Sequence, residues 1–436
     1  MKRIAIIGSG IGGLSTAWHL VRSGAPVSVT LFEADTHFGG HAHTVDVTLD
    51  GITHGVDTGF LVFNERTYPG LIDLFAQLGI KPASSDMSFS VQAPRAGGGT
   101  LEWSGHSLST VFTQRRNFLS PRFWSMLKDI VRFNALTTQL ATSAKEVGLR
   151  QPIGDFLKHH GFGDAFREDY FLPMVACIWS CPTEQMLRFP MATMIRFCHN
   201  HGLLQITNRP QWYTVAGGSR EYVKRIVAML PDARRNTPVT SVIRQSGGVL
   251  ISTPTGPEWF DGAVMACHPD QILRLLGGSA TDAEHRSLGS IRYQANRAVL
   301  HTDASLLPSR RSAWAAWNYE RGTVSGDSQT PVCLHYLINQ LQPLPWKQAV
   351  IVTLNPLREP RPGQILREMD YDHPIFDQAA IDAQESLGTL QGRDAVWFAG
   401  AWCGYGFHED GFQAGKHAAE HVLSRVTQGH PRSQAA

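Results

Sequence analysis

The stretch KRIAIIGSGIGG, residues 2–13, places a GxGxxG loop between an apolar strand and a helix-like segment. In such a loop Gly8 permits the tight turn, Gly10 lets the backbone approach a pyrophosphate, and Gly13 lets the following helix pack closely. Glu33 ends the next predicted strand, where an acidic side chain accepts hydrogen bonds from a ribose and repels a ribose phosphate. The strand, loop, helix and acidic residue together predict a dinucleotide site.

Length and composition describe a globular protein of more than one domain. The chain has 436 residues, of which 42% are hydrophobic and 17% charged, and its formal net charge is +2. This length exceeds one typical core, and so small a charge gives no reason to expect a nucleic-acid partner. No run of about 20 apolar residues predicts a membrane span, and the early glycine loop leaves no room for a signal peptide. We therefore expect a cytoplasmic protein, either free or peripheral at the inner membrane surface.

Six cysteines are scattered through the chain without CxxC spacing. This pattern favours reduced, mostly buried thiols over a disulfide framework or a zinc site. We therefore expect no metal and assign the cysteines no chemistry. They are Cys177, Cys181, Cys198, Cys267, Cys333 and Cys403.

Motifs along nearly the whole chain resemble those of the flavin-containing amine oxidoreductase superfamily, which includes phytoene desaturases, protoporphyrinogen oxidases and fatty-acid double-bond isomerases. The resemblance implies an α/β fold, with a Rossmann-like FAD-binding domain built from discontinuous segments and a mixed helical and β-sheet substrate domain. Besides the amino-terminal loop, the motifs are the pair Gly39 and Gly40, the turn at Gly217 and Gly218, strands near Val239 and 263–266, FAG at 398–400 and EDG at 409–411.

The division into domains is predicted from these motifs and from the pattern between them. Residues 66–211 are expected to be mostly helical, with prolines that end or begin helices, and residues 428–436 to form a flexible tail. The predicted FAD-binding domain comprises residues 1–65, 212–290 and 385–427, and the predicted substrate domain comprises residues 66–211 and 291–384.

The resemblance implies FAD, with Glu33 on the adenosine ribose, the backbone near Val239 beside the adenine, and Gly400 with the last helix near the flavin. By default we expect the FAD to be bound noncovalently. Exposed amides at the start of that helix, near Gly411, would stabilise the negative charge of reduced flavin by about 0.3–1 kcal/mol. The residues predicted to contact FAD are Gly8, Gly10, Ile11, Gly12, Gly13, Glu33, Ala34, Gly40, His41, Thr58, Gly59, Phe60, Val239, Gly400, Glu409, Asp410 and Gly411.

Two positions depart from the family pattern. Many members have an arginine after the second glycine pair, whereas this chain has His41 there and His43 two residues later. Amine oxidases commonly place a lysine near flavin N5, but no lysine occurs between Lys224 and Lys347. The strand at 296–300 is where that lysine should fall, so the sequence disfavours lysine-assisted amine oxidation.

Four stretches give a narrower resemblance, to bacterial flavoproteins similar to the desaturases of furan fatty acid biosynthesis. Such enzymes are thought to remove hydrogen from a methyl-branched acyl chain of a membrane phospholipid and to give a conjugated diene. The resemblance implies a phospholipid or fatty acyl substrate. The stretches are FLVFNE at 60–65, DMSFS at 86–90, HNHG at 199–202 and GYGFHEDG at 404–411.

Removing two hydrogens from a hydrocarbon delivers a hydride to flavin N5 and a proton to a nearby base. His408, Glu409 and Tyr405 lie in the segment expected to pass the flavin, and His201 lies in a polar interruption between apolar stretches. We predict these four residues as catalytic, with His408 and His201 first. A simpler interpretation stays open, because most of the 19 histidines are only hydrogen-bonded and Glu409 with Asp410 could be a helix cap.

The segment from Arg115 to Arg132 is basic and aromatic. Ser120 and Pro121 have the residue types of an N-cap and a first helical position, and apolar residues beginning with Trp124 then repeat at helical spacing. Such a helix could rest on an anionic bilayer and give an acyl chain a way into the site. It could also pack as an ordinary surface helix on its own domain.

Three other functions stay open on the sequence. A fatty acid double-bond isomerase would return the hydride to another carbon, so the flavin would show no net change. An amine, carotenoid or porphyrin oxidase would act on a different substrate in the same scaffold. A flavin-binding protein without enzymatic activity would resist reduction by every donor.

Overall fold

The computed structural model describes residues 1–95, 97–142, 151–179, 182–203, 209–322 and 332–428. Its strands are β1 (Lys2–Ile7), β2 (Val27–Phe32), β3 (Thr44–Leu49), β4 (Ile52–Asp57), β5 (Phe63–Asn64), β6 (Pro82–Ser85), β7 (Phe89–Pro94), β8 (Thr100–Ser104), β9 (Trp212–Val215), β10 (Asp232–Arg234), β11 (Ser241–Gln245), β12 (Gly248–Thr253), β13 (Gly256–Phe260), β14 (Gly262–Met265), β15 (Tyr293–His301), β16 (Trp317–Glu320), β17 (Cys333–Leu337), β18 (Ile351–Leu354), β19 (Ile365–Pro374) and β20 (Val396–Phe398). Its α-helices are α1 (Ile11–Arg22), α2 (Pro69–Leu78), α3 (Leu108–Val111), α4 (Pro121–Thr142), α5 (Ile153–His159), α6 (Asp164–Phe166), α7 (Leu172–Trp179), α8 (Thr183–Met186), α9 (Met191–Asn200), α10 (Arg220–Val227), α11 (Pro269–Leu276), α12 (Asp282–Gly289), α13 (Ile338–Leu341), α14 (Gln378–Ser386) and α15 (His408–Gln428).

A parallel five-stranded sheet in the order β10-β2-β1-β14-β20 forms the core of one half of the folded molecule. β1 and β2 are buried over their last four residues, as expected for parallel strands covered on both faces. β1 pairs with β2 on one side and with β14 on the other. The carboxyl ends of these strands therefore meet at one edge, where open α/β sheets bind ligands.

Helix α15 lies against α1 and so brings the end of the chain to its beginning. A Cβ on Gly415 would come within 2.2 Å of the Gly12 carbonyl oxygen, so glycine is needed for this approach. The Ser15 hydroxyl donates to the Phe412 carbonyl at 2.6 Å, and the Thr16 hydroxyl donates to the Gly415 carbonyl at 3.1 Å. The segment before α15 consequently lies beside the glycine loop.

A seven-stranded sheet in the order β19-β15-β18-β17-β16-β7-β8 forms the core of the other half of the folded molecule. Its neighbouring strands are antiparallel, except that β16 and β7 are parallel. Successive side chains of a strand point to opposite faces of a sheet. One face therefore lines a cavity between the two halves, through Ala298, Trp317, Tyr336, Val352 and Leu354.

Helices α4 to α9 pack around a separate apolar cluster that includes Phe133, Phe156, Phe166 and Phe171. Much of the stretch 66–211 is therefore helical, as predicted. Its early part differs from the prediction, because β6, β7 and β8 lie there. β7 joins the large sheet by pairing with β16 at a separation of 228 residues, and local sequence patterns carry no information about such a distant partner.

The two kinds of sheet agree with the predicted α/β class, and the parallel sheet is assembled from distant segments of the chain. The domain boundaries themselves stay a prediction. Of the predicted tail, Gln428 ends α15, and residues 429–436 lie outside the described residues. Among the helices that the structure describes, none combines the length and the apolar composition needed to cross a membrane.

Candidate active site

A cavity of about 580 Å³ extends from the glycine loop to the seven-stranded sheet. It opens at the carboxyl ends of β1, β14 and β20, the edge at which the sheet order predicts a ligand. Most residues predicted to contact FAD line it, namely Gly8, Gly10, Ile11, Gly12, Glu33, Gly40, His41, Thr58, Gly59, Phe60 and Gly400.

The glycines of the loop have three different structural roles. Gly8 turns the chain with a φ of +103°, and a Cβ there would be 2.6 Å from the Ala266 carbonyl oxygen. A Cβ on Gly13 would be 2.0 Å from the Gly8 carbonyl oxygen, so Gly13 fixes the contact between loop and helix. At Gly10, by contrast, a Cβ would meet no atom of the described residues within 4 Å. Gly10 therefore leaves a cradle beside the amino terminus of α1 that suits a phosphate group.

Glu33 lies where β2 meets the cavity and joins the glycine loop to the next segment. Its carboxylate accepts from the Ser9 backbone N–H at 3.0 Å, from the Ser9 hydroxyl, and from the Asp35 backbone N–H at 2.9 Å. The Ser9 hydroxyl accepts in turn from the Gly39 N–H at 3.0 Å. A carboxylate has about four acceptor positions, so Glu33 keeps capacity for a ribose hydroxyl.

Histidines form much of the cavity wall near the second glycine pair. The His41 Nε2 atom is buried and has no hydrogen-bond partner within the described residues, and the ring lies 5.4 Å from that of His373 and 5.0 Å from that of Tyr371. Burial lowers the pKa of His373 to about 4 and, with neighbouring histidines, lowers the pKa of His41 well below its usual value. These rings are neutral near pH 7, so His41 offers a hydrogen bond in place of the arginine's charge.

Six of the predicted FAD contacts do not line the cavity. Gly13 and Gly411 are needed for packing, since a Cβ on Gly411 would lie 2.6 Å from the Ile11 side chain. The Asp410 carboxylate accepts from the Phe407 N–H at 2.9 Å and so caps the start of α15. The six are Gly13, Ala34, Val239, Glu409, Asp410 and Gly411.

Comparison with known sequences identifies the family. The profile described as flavin containing amine oxidoreductase matches residues 11–332. The chain belongs to this family. No curated protein sequence matches it significantly.

Solved structures share the fold over nearly the whole chain. A candidate protoporphyrinogen oxidase from Exiguobacterium sp. 255-15 is 17% identical, with a TM-score of 0.67 over 97% of this chain and 99% of that one. A fatty acid isomerase from P. acnes that produces CLA is 17% identical, with a TM-score of 0.65 over 97% and 98%. Cyclohexylamine oxidase from Brevibacterium oxydans IH-35A is 16% identical, with a TM-score of 0.65 over 98% and 99%. At these identities the likeness establishes the two-domain fold alone.

The flavin containing amine oxidoreductase family uses FAD, and this chain is an FAD-dependent oxidoreductase. Three features of the cavity fit that cofactor. Gly10 leaves room for a pyrophosphate, Glu33 can hold a ribose, and the partnerless Nε2 of His41 can hydrogen-bond a polar group of the cofactor. The narrower resemblance to furan fatty acid desaturases is left to the proposal below.

His201 lines the cavity and is a neutral base with a defined tautomer. Its Nδ1 atom is 2.9 Å from the Phe197 carbonyl oxygen. A carbonyl only accepts, so Nδ1 carries the proton and Nε2 keeps an available lone pair. Burial lowers the pKa of His201 to about 4. The ring stacks on Phe197 with the centroids 3.9 Å apart, which holds its orientation.

His408 and Tyr405, the other predicted catalytic residues at the start of α15, also line the cavity. His408 stacks on Phe60 with the ring centroids 3.6 Å apart, and burial lowers its pKa to about 3. Its Nε2 atom is 3.0 Å from the Tyr222 hydroxyl. If that hydroxyl donates, the lone pair of His408 is already engaged. Among the described residues, no tyrosine hydroxyl lies at hydrogen-bond distance from His201 Nε2.

The strand expected to carry the amine oxidase lysine does reach the cavity. It is β15, and Ala298 of this strand lines the wall. The charged residues among the lining are all acidic, and they lie just beyond β2 or on β19. They are Glu33, Asp35, Asp370 and Asp372.

Several lining residues escaped the sequence analysis, among them His268, Tyr293, Tyr371 and His373. His268 lies three residues after the end of β14, and its ring stacks on Tyr293 with the centroids 4.0 Å apart. Its position could have been inferred, because the end of a strand parallel to β1 must lie at the same edge. Tyr371 and His373 belong to β19, whose pairing with β15 has no local sequence signal.

Glu409 binds helix α2 and does not face the cavity. Its carboxylate accepts from the Gly70 and Leu71 N–H groups, both at 2.9 Å. These groups belong to the first turn of α2, whose first residue is Pro69. A carboxylate there satisfies two unpaired donors and complements the helix dipole.

Replacing Glu409 with glutamine is therefore expected to lower the free energy of unfolding by about 1–2 kcal/mol. Flavin absorbance and the turnover of folded enzyme should not change. Urea denaturation measures the stability, with Glu385→Gln on the exposed side of α14 as the matched control. Unaltered stability together with a large loss of turnover would instead support the predicted catalytic role.

Proposed function

We propose that the protein desaturates methyl-branched acyl chains of phospholipids, with FAD as the hydride acceptor. The observation that carries the proposal is the uncharged character of the cavity wall that lies away from the glycine loop. That wall is formed by Ala298, Trp317, Tyr336, Val352 and Leu354 of β15 to β18 and by Phe197 and His201, and none of these residues is a lysine, an arginine or an acid. The acids of the lining lie just beyond β2 or on β19. A cationic amine would find no counter-charge there, whereas an acyl chain would be solvated well.

The four stretches that resemble furan fatty acid desaturases all contribute to this cavity. This convergence supports the narrower assignment over a general oxidase. The contributing residues are Phe60, Leu61 and Val62 from the first stretch, Met87 from the second, His201 from the third, and Tyr405, Gly406, Phe407 and His408 from the fourth.

In the proposed reaction the acyl chain loses a hydride and a proton from neighbouring carbons. Bound FAD supplies the acceptor for the hydride. Nε2 of His201 takes the proton, because this atom carries the lone pair of a neutral ring in the wall. Apolar residues such as Trp317 and Leu354 exclude water, which would otherwise trap a cationic centre on the chain.

Product analysis tests desaturation against its nearest alternative. Purified enzyme is incubated with vesicles of a methyl-branched phospholipid whose acyl chain already carries one double bond, and the released acyl chains are analysed by mass spectrometry. The proposal predicts a loss of two hydrogens per product and a new conjugated double bond. An unchanged mass with a shifted double bond would identify an isomerase.

We also propose that the enzyme meets its substrate at an anionic bilayer through the surface of α4 and the loop before it. Large apolar side chains are exposed there, including Phe118 (51%), Leu119 (88%), Trp124 (50%) and Val131 (58%). Exposed cations lie among them, namely Arg115, Arg116, Arg122, Lys128 and Arg132. Apolar residues that enter the interface and cations that meet anionic headgroups are the two components of interfacial binding.

The double variant Leu119→Ser/Trp124→Ser is expected to lose most binding to phosphatidylglycerol vesicles in a sedimentation assay. Neutral phosphatidylcholine vesicles should bind the unaltered protein weakly, and salt should weaken binding to the anionic ones. Ile52→Ser/Trp259→Ser is the control, since both residues are exposed elsewhere on the surface. Equal binding by the two double variants would refute this docking surface.

A further inference from the structure

We propose a binding site for a divalent transition metal, best matched by Zn²⁺, formed by Glu320, Cys333 and His335. It lies on the seven-stranded sheet and goes beyond the proposed function, since no step of the acyl chemistry uses it. Cysteine, histidine and glutamate are the ligand types that zinc prefers.

The register of the sheet brings the three side chains together. Glu320 of β16 pairs directly with Cys333 of β17. Cys333 and His335 are two residues apart in one strand, so both point to the same face. Tyr336, between His335 and the end of the strand, points the other way and lines the cavity. The cluster therefore lies on the face of the sheet opposite the active site.

The distances among the three atoms suit a single ion. Oε2 of Glu320 is 3.0 Å from Nε2 of His335, which is 3.7 Å from Sγ of Cys333, and Sγ is 4.0 Å from Oε2. A circle through the corners of such a triangle has a radius of about 2.1 Å, close to the usual zinc distances of about 2.0–2.3 Å. One ion can thus reach all three atoms with little movement, and water can supply the fourth ligand.

The surrounding hydrogen bonds favour His335 as a ligand. The Asp303 N–H donates to Nδ1 of His301 at 3.1 Å, so a neutral His301 donates from Nε2 to the Thr353 hydroxyl oxygen at 2.7 Å. That oxygen lies 2.8 Å from Nδ1 of His335 and can accept its proton as well. A histidine that donates from Nδ1 presents the lone pair of Nε2 to the metal. Histidine ligands of zinc usually donate their other ring N–H to a neighbouring acceptor in this way.

The thiol of Cys333 is too deeply buried to act as a reactive cysteine. Cys333 and His335 are both 0% exposed, so no substrate can reach the sulfur. Glu320 keeps 14% of its side chain exposed, so an ion can reach its carboxylate from solvent. The negative charges of the Cys333 thiolate and the Glu320 carboxylate together balance the charge of a divalent cation. The competing explanation is a hydrogen-bonded Glu320–His335 pair that needs no ion.

Metal content of the FAD-loaded full-length protein tests the proposal without any assay of activity. After incubation with Zn²⁺ and removal of excess, elemental analysis should find close to one zinc per chain. Cys333→Ala and His335→Gln should each lose it, while Cys198→Ala, which removes another buried thiol, should keep it. Flavin absorbance verifies that each variant is folded.

Cobalt gives a test on the unaltered protein, independent of how any variant folds. The chelator-treated protein loaded with Co²⁺ should show the charge-transfer absorption of a thiolate–cobalt bond in the near ultraviolet. Zinc far below one per chain, a cobalt spectrum without that band, or a band that persists in Cys333→Ala would each overturn the site.

Discussion

A Gly10→Val protein is expected to fold normally and to be colourless. Gly10 has φ −60° and ψ 174°, an extended conformation that valine adopts readily. Its added side chain would meet no atom of the described residues within 4 Å at the Cβ position. The same side chain would fill the space that a pyrophosphate needs. We expect FAD affinity to fall at least about 100-fold, which corresponds to about 2.8 kcal/mol.

The measurement is titration of apoprotein with FAD, followed by flavin fluorescence, beside thermal unfolding of the same apoprotein. Gly363→Val is the matched control, because Gly363 is also open at Cβ and lies in an exposed short helix far from the loop in sequence. Gly13→Val should behave differently and fail to fold, since its Cβ would be 2.0 Å from a carbonyl oxygen. Normal FAD affinity in Gly10→Val would show that the pyrophosphate lies elsewhere.

Replacing His201 with alanine is expected to slow anaerobic flavin reduction by the acyl substrate about 100-fold to 10,000-fold, the usual contribution of a general base. Substrate binding should change little, because the site keeps its apolar walls. His199→Ala is the control, since His199 belongs to the same stretch but does not line the cavity. The rates come from stopped-flow absorbance.

The pH dependence gives a second test of the same residue. Burial lowers the pKa of His201 to about 4, so its base form is present above that pH and is lost as the pH falls below it. The rate should therefore be flat between about pH 6 and 8. A rate within a few-fold of normal in His201→Ala would show that His201 is not the base. If His408→Phe alone slowed flavin reduction about 100-fold or more, His408 would be the base.

The parts of the fold that the sequence predicts are those with a local physical cause. β1, the glycine loop, α1 and β2 follow from an apolar run, a turn that needs Gly8 and an acidic residue after the next strand. The start of α4 at Pro121 follows from proline's preference for the first turn. Each of these features is encoded within a few residues.

What the sequence does not predict depends on contacts between distant segments. The pairing of β7 with β16 and of β15 with β19 decides which side chains reach the cavity. Glu409 was expected at the cofactor, but its contact with α2 is set by the position of α15. No local sequence pattern predicts the cluster of Glu320, Cys333 and His335, because Glu320 lies on a different strand from the other two.

The central claim is that the site takes hydride from an uncharged acyl chain. It is tested most directly by mixing the yellow holoprotein without oxygen with a methyl-branched phospholipid or with an amine such as putrescine, and recording flavin absorbance. The account predicts that the lipid bleaches the flavin and that the amine does not. Bleaching by the amine, with the lipid inert, would contradict it.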